Sequence, residues 1–407
     1  MQIRSITYFV HPRWPISELV LQKAGIFARH AKAAFEKSGY AVQTVRLATP
    51  SFSEIFSVEN YDAAITQMEV LAHSEGFEYV SLGPALTEHI ETYQAIPDML
   101  ANSGNLFFSA HLTTPQGEIS LPAVRASAEI IQRAASIEPG GFANLRFAAL
   151  ANVPPFVPFF PAAYHQGKAP AFGLALEAAD LAVSAFSQAK TLSSARQCLI
   201  QDIETHARNL ENIADQLKGV YNLTFKGLDF SLAPFPTSEI SIGFALETLG
   251  LPALGLSGSL AAAAFLMDTL DHARFTRTGF NGLMLPVLED STLSQRAAEG
   301  VLGVKDLLLY ATVCGTGLDT VPLPGYASVD QLQAVLLDIA ALSLRLDKPL
   351  TARLMPIPGK KAGEDTGFDF EYFANSKVLS LPAKPLSGLL TGSEAIPIKP
   401  RTKDQHP

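Results

Sequence analysis

IRSITYFVHPRWPISELVLQKAGIFARHAKAAFEKSGYAVQTVRLA, residues Ile3–Ala48, carries the alternation that decides the fold. Ile3–Val10 is an apolar run of β-branched and aromatic residues closed by His11-Pro12, which reads as a strand. A helical stretch follows from Ser17 to Glu36 and stops at Gly39, and Tyr40–Ala48 returns to strand. Working outward, Tyr79–Leu82, Leu106–His111, Arg146–Val153, Leu223–Phe230, Gly282–Val287, Leu307–Val313, Leu350–Pro356 and Val378–Leu381 read as further strands. Ala123–Ala135, Leu174–Ala189, Gln197–Leu217 and Val329–Leu346 read as helices. Such alternation gives an α/β protein with a mostly parallel sheet under helices. Around ten strands with no clear linker predict a single large barrel over residues 1–385, followed by a flexible tail, 386–407, rich in Gly, Pro and charge.

Composition narrows the function. Only 17% of the 407 residues are charged while 48% are hydrophobic, which calls for a large buried core and excludes a disordered chain. The net charge of −9 is spread along the sequence, so no nucleic-acid or membrane partner is expected. Phe147–Gly167 is uncharged but holds Pro154, Pro155, Pro158 and Pro161, which a lone membrane helix would not tolerate. Two cysteines, Cys198 and Cys314, make no disulfide framework, and with a chain that opens on a strand the expected compartment is the cytoplasm.

Chemistry-bearing residues gather after residue 225, in loops at expected strand ends, where α/β folds bind ligands. Cys314 precedes Gly315 and Gly317, which suits either a reactive thiol or a small buried hydrophobe beside a turn. Asp319 is a candidate base, metal ligand or turn cap. Glu289 and Asp290 end an apolar run as paired carboxylates, an acid/base pair, Mg²⁺ ligands or, for Asp290, a helix cap. Arg353 lies in an otherwise apolar strand, so it faces either a cavity or a buried acid. Lys360 and Lys361, between Gly359 and Gly363, make an anion cradle or a solvated turn. Ser257 and Ser259 open a helix, as anion ligands or as ordinary caps. Asn281 and His11 are candidate pocket residues. Asp268 and His272, four apart on a helix, suit a divalent metal or a solvated helix end, so a metal stays open. Gly315-x-Gly317 lacks a third glycine and a following helix, so no nicotinamide cofactor is expected.

Four blocks carry a family resemblance: SLAPFP (Ser231–Pro236), RTGFNGLMLPVLED (Arg277–Asp290), VCGTGLDTVPLPG (Val313–Gly325) and ARLMPIPGKK (Ala352–Lys361). In that order they resemble the signature blocks of the domain of unknown function 711 family. The resemblance implies a fold like pyruvate formate-lyase and anaerobic ribonucleotide reductase, a ten-stranded α/β barrel with a loop entering its centre. It further implies Cys314–Pro324 as that central loop. No glycyl radical motif surrounds Gly388 or Gly392, so radical chemistry is not expected. The family's usual aspartate after Pro324-Gly325 is Tyr326 here. The resulting expectation is a non-radical lyase, isomerase or transferase acting on a small anionic metabolite in the barrel cavity. The competing one is a metabolite-binding sensor without turnover, and a homo-oligomer stays open in either case.

Overall fold

A computed structural model describes residues 1–400. Its centre is one nine-stranded sheet. In chain order the strands are β1 (Gln2–Phe9), β2 (Val42–Ala48), β3 (Tyr79–Ala85), β4 (Leu106–His111), the short β5 (Glu118–Ser120), β6 (Phe147–Ala151), β7 (Ala171–Glu177), β8 (Thr224–Ala233), β9 (Gly317–Pro324), β10 (Leu350–Ile357) and the short β11 (Ala395–Pro397). The main sheet runs β8-β7-β1-β2-β3-β4-β6-β10-β9, while β5 and β11 pair separately. Strands β1, β2, β3, β4 and β6 are mutually parallel. Strands β7 and β8 flank them on one side and β10 and β9 on the other, and both pairs join antiparallel.

Strand alternation gives the sheet two different faces. Ile6 and Tyr8, Val45 and Leu47, Val80 and Leu82, and Leu106 and Phe108 all join the core that also holds Leu21, Phe27 and Phe35 of the helix Glu18–Lys37. The residues that alternate with them along the strands, Ser5, Thr7, Ser81 and Ser109, are also buried, on the opposite face. What covers that inner face is the proline-rich segment 153–165. Ser5 and Thr7 donate to the Pro158 carbonyl at 3.1 and 2.8 Å, and Ser81 donates to the Ala163 carbonyl at 2.7 Å. A loop can be buried only if its backbone polar groups find partners. Four prolines remove four N–H groups from this one, and strand hydroxyls meet carbonyls that remain.

Several expectations need correcting. The nine strands do not close as a hydrogen-bonded barrel. Gly282–Val287, read as a strand, is irregular: Asn281 has φ 43°, Gly279 has φ 79°, and Pro286 has no N–H to give. A Cβ on Gly282 would lie 2.4 Å from the Gly315 Cα, so the close approach of these two loops requires glycine. The segment instead makes one parallel bridge to each sheet edge, Arg277 to Leu228 of β8 and Pro286 to Asp319 of β9.

Leu307–Val313, also read as a strand, lies across the end of a helix, Val304–Tyr310, whose Val304, Leu307 and Tyr310 are buried at helical spacing. Cys314–Pro324 is therefore not the central loop: most of it is strand β9, and the segment that enters the interior, 153–165, contains no cysteine. Leu174–Glu177, read as helix, belongs to β7, and Val378–Leu381 forms no strand. Of the expected tail, Ala395–Pro397 pairs with β5 and Ile396 and Ile398 pack on the core, while residues 401–407 lie outside the described residues. Among the described residues, no helix is long and apolar enough to cross a membrane.

Candidate active site

The inner face carries a cavity of about 100 Å³ beside the loop. Its walls come from the starts of the first strands, including Arg4, Thr44, Arg46, Tyr79 and Phe107, and from Glu289, Asp319 and Arg353 of the late half. Phe159 and Phe160 of the loop, with Phe370 and Tyr372, complete it.

Two β-bulges help set the charged groups. Register slips between Ile3 and Ser5 on β1, so that Arg4 and Ser5 both turn inward. It slips again at Arg353 on β10, where Asp319 and Thr320 of β9 oppose a single residue. Thr320 there has φ 41°, a strained conformation for a β-branched side chain, and its buried hydroxyl has no partner. Beside this kink, Arg353 Nε donates to Asp319 Oδ1 at 2.6 Å and Arg353 Nη2 to Glu289 Oε1 at 2.7 Å. Arg4 pairs with the other oxygen of Glu289 and lies 3.3 Å from Glu177 Oε2. Gln2 Nε2 donates to Glu177 at 2.6 Å.

The two cavity carboxylates are driven apart electrostatically. Burial acts to raise Glu289, but Arg353 and then Arg4 outweigh it and hold the group below its ordinary value. For Asp319 burial prevails over Arg353 and the group stands above its ordinary value. Only one of its oxygens, Oδ1, takes a side-chain hydrogen bond. Arg46 differs from both other arginines. Its Nε donates to Thr44 at 2.8 Å, but no carboxylate pairs with it, and its guanidinium sits 5.2 and 5.7 Å from the Phe160 and Tyr79 ring centroids. Burial first, then the neighbouring Arg4, pushes its pKa down to about 9, the mark of a cation whose charge nothing nearby fully balances.

Of the residues singled out from sequence, Glu289, Asp319 and Arg353 meet here. Asp290 turns away: Oδ1 takes the Ser241 hydroxyl and the Thr292 and Leu293 amides, and Oδ2 the Ile242 and Gly243 amides, so it caps two helices at once. Cys314 is 1% exposed within the apolar core, and burial raises its thiol pKa. That is the environment of an inert thiol, not a nucleophile. Lys360 and Lys361 sit on an outer turn, where the Lys361 amide donates to Glu364. Ser257 is exposed, and Ser259 accepts from the Gly255 amide at 3.1 Å. Asn281 ties the irregular segment to β8 by accepting from the Phe230 amide at 3.1 Å. His11 accepts from the Arg13 amide, away from this cavity. Tyr326 is exposed. Asp268 pairs with Arg196 at 2.6 Å, and among the described residues no three His, Cys, Asp or Glu side chains are grouped to hold a metal ion.

Arg4 and Arg46 were missed from sequence. The argument that picked out Arg353, a guanidinium amid apolar strand residues, applies equally to Arg46 in VQTVRLA and to Arg4 in QIRSITYF.

Fold and cavity define an α/β protein with a buried, arginine-rich ion cluster opening on an aromatic-walled interior space. The chain belongs to the family described as Uncharacterised ACR (DUF711), whose model matches residues 1–374. It is 34% identical to a UPF0210 protein of Pyrobaculum aerophilum over 284 residues, 67% of this chain and 61% of that one. It is 30% identical to a UPF0210 protein of Pyrobaculum islandicum over 351 residues, 80% and 76% of the two chains. A Neisseria meningitidis UPF0210 protein is 26% identical over 83% of this chain and 79% of its own.

Proposed function

We propose that the cavity binds a small organic acid with a flat apolar body, and that the protein is a non-radical enzyme acting on it. The observation that carries this reading is Arg46. A buried guanidinium with no carboxylate partner is expensive to keep, and a bidentate carboxylate or phosphate is the ligand that satisfies its fork of N–H donors. The rings of Tyr79, Phe107, Phe160 and Tyr372 around it favour a planar apolar group on the same molecule. Asp319, with Oδ2 free of side-chain bonds and its pKa raised, would give or take a proton on the bound acid. Arg353 would hold it in place, and ionised Glu289 would fix Arg353. A lyase, isomerase or transferase each needs such a proton-handling group.

A sensor without turnover is the second reading, and one feature favours it. Glu289 spends both oxygens on Arg353 and Arg4, which leaves Asp319 as the single cavity carboxylate with a free oxygen. The resemblance to the pyruvate formate-lyase barrel also belongs here as a proposal. Five strands run one way and four the other, and the irregular segment 277–287, bridged in parallel to both edges, would be the tenth stave.

The test is calorimetric titration with benzoate, acetate and inorganic phosphate, on the parent and on Arg46→Gln. Benzoate should bind at least tenfold tighter than acetate and lose that binding in Arg46→Gln. Equal binding of all three anions, or an unaffected variant, overturns the assignment. Incubation with a pool of cellular organic acids then separates the two readings, since an enzyme depletes its ligand and a sensor returns it unchanged.

A further inference from the structure

A second cleft lies at the opposite end of the same strands. The arginine-rich cavity is built on the starts of β3 and β4, at Tyr79 and Phe107, whereas this cleft is built on their ends, at Pro84 and His111, and on Asn152 just after β6. The buried loop passes between the two: Phe159 and Phe160 face the first, and Tyr164 and His165 line the second. The cleft has a volume of about 620 Å³.

His165 is 2% exposed, yet neither ring nitrogen makes a hydrogen bond of ordinary geometry, the Gly167 backbone being the polar group beside the ring. Buried polar groups without partners are rare in native proteins and point to something that fills the place. His111, on the same lining, makes no ring hydrogen bond either. Burial is the leading cause that pushes both imidazoles down to about 4, so each stays neutral at pH 7 and offers one donor and one acceptor. Such a pair complements a hydroxyl group, which also donates once and accepts.

The charge on the lining points the same way for the rest of the ligand. Its only acidic or basic side chains apart from histidine are the rim carboxylates Glu54 and Glu88, with no lysine or arginine. Nearby Lys226 is engaged over the Phe156 ring at 3.6 Å and does not line the cleft. Thr87, Thr113, Thr114, Asn152 and Gln166 on the same lining add uncharged groups that can pair with hydroxyls. An anion would meet repulsion here, while a protonated amine would find partners.

We infer that this cleft is a second binding site, for a small polyhydroxylated primary amine. The ammonium meets Glu54 and Glu88 at the rim, and hydroxyls reach His165 and His111 in the interior. The site stands independently of the acid-binding cavity.

Titration of the full chain at pH 6, where the amines are charged and both histidines still neutral, with glucosamine, glucose and 1,4-diaminobutane tests it. Glucosamine carries both charge and hydroxyls, glucose only hydroxyls, and the diamine only charge. Saturable binding of glucosamine, at least about fivefold tighter than either other probe, is the expected result. Glu88→Gln should weaken it about tenfold, the scale of a lost charged hydrogen bond. His165→Phe should weaken it similarly, with circular dichroism confirming an intact fold. Because Glu88 is an exposed rim residue, its variant keeps the test decisive if His165→Phe fails to fold. Glucose or diamine binding as tightly as glucosamine overturns the inference. So does absence of saturable glucosamine binding, or a Glu88→Gln variant that binds like the parent.

Discussion

Replacing Arg353 by methionine removes the guanidinium that joins Asp319 to Glu289 while keeping most of its apolar stem. Glu289 keeps Arg4, but Asp319 loses its one ion-pair partner and is left buried. Stranding a buried charge costs about 3–5 kcal/mol, well above the ~1 kcal/mol expected for lost packing alone. The assay is urea unfolding followed by circular dichroism and by the fluorescence of Trp14, the only tryptophan, whose ring meets Phe56 edge-on at 5.2 Å. Without Arg353 the folded-state pKa of Asp319, already raised, rises further above its unfolded value. A raised carboxyl stabilises while protonated and loses that contribution as pH climbs, so the deficit should be small near pH 5 and largest near pH 8. Arg353→Met combined with Asp319→Asn removes both charges and should recover most of the loss, a non-additive pair in direct contact. A deficit under 1 kcal/mol at pH 8, or a double variant no better than the single, would show that the cluster is not held by this ion pair.

Three other outcomes follow from the same structure. Asp290→Ala deprives two helix N-termini of their cap and should destabilise by about 2–4 kcal/mol, read by urea unfolding, with no change in acid binding. A thiol reagent should modify exposed Cys198 readily and buried Cys314 only after denaturant is added, one fast thiol and one slow by absorbance. Asp229 is buried and its pKa is raised to about 6, so folding favours its protonated form. Its contribution is complete below pH ~4 and lost as pH passes 6, up to ~3 kcal/mol, so the advantage of the parent over Asp229→Asn should shrink across that interval.

How much of this was legible in the sequence depended on which physical signal each element carries. The helix Val329–Leu346 and the strands β1, β2, β4 and β10 were readable because apolar spacing and local turn chemistry agree. Val304–Tyr310 was misread because short apolar runs look alike as helix or strand, and the cap at Gly303 and Asp306 carries the difference. Strand β7 hid inside an alanine-rich run that continues into the helix Ala179–Gln188. In the candidate site, Arg353 and the two acids were found because charge in apolar sequence is conspicuous. Cys314 was overvalued for the glycines beside it, whose close approach to Gly282 serves packing. His165 could not be picked out, since only three-dimensional burial shows that its nitrogens make no hydrogen bond of ordinary geometry.

In a barrel with every strand aligned, the carboxyl ends share one rim and chemistry is confined there. The antiparallel joins at β7 and β10 abolish that polarity in this sheet, because each of its ends mixes endings from one set of strands with beginnings of the other. Neither end of the sheet is privileged by backbone direction, and the proline-rich segment 153–165 stands between a cavity walled by arginines and a cleft rimmed by glutamates. The same short run of chain thus lines both spaces, Phe159 and Phe160 on one and Tyr164 and His165 on the other.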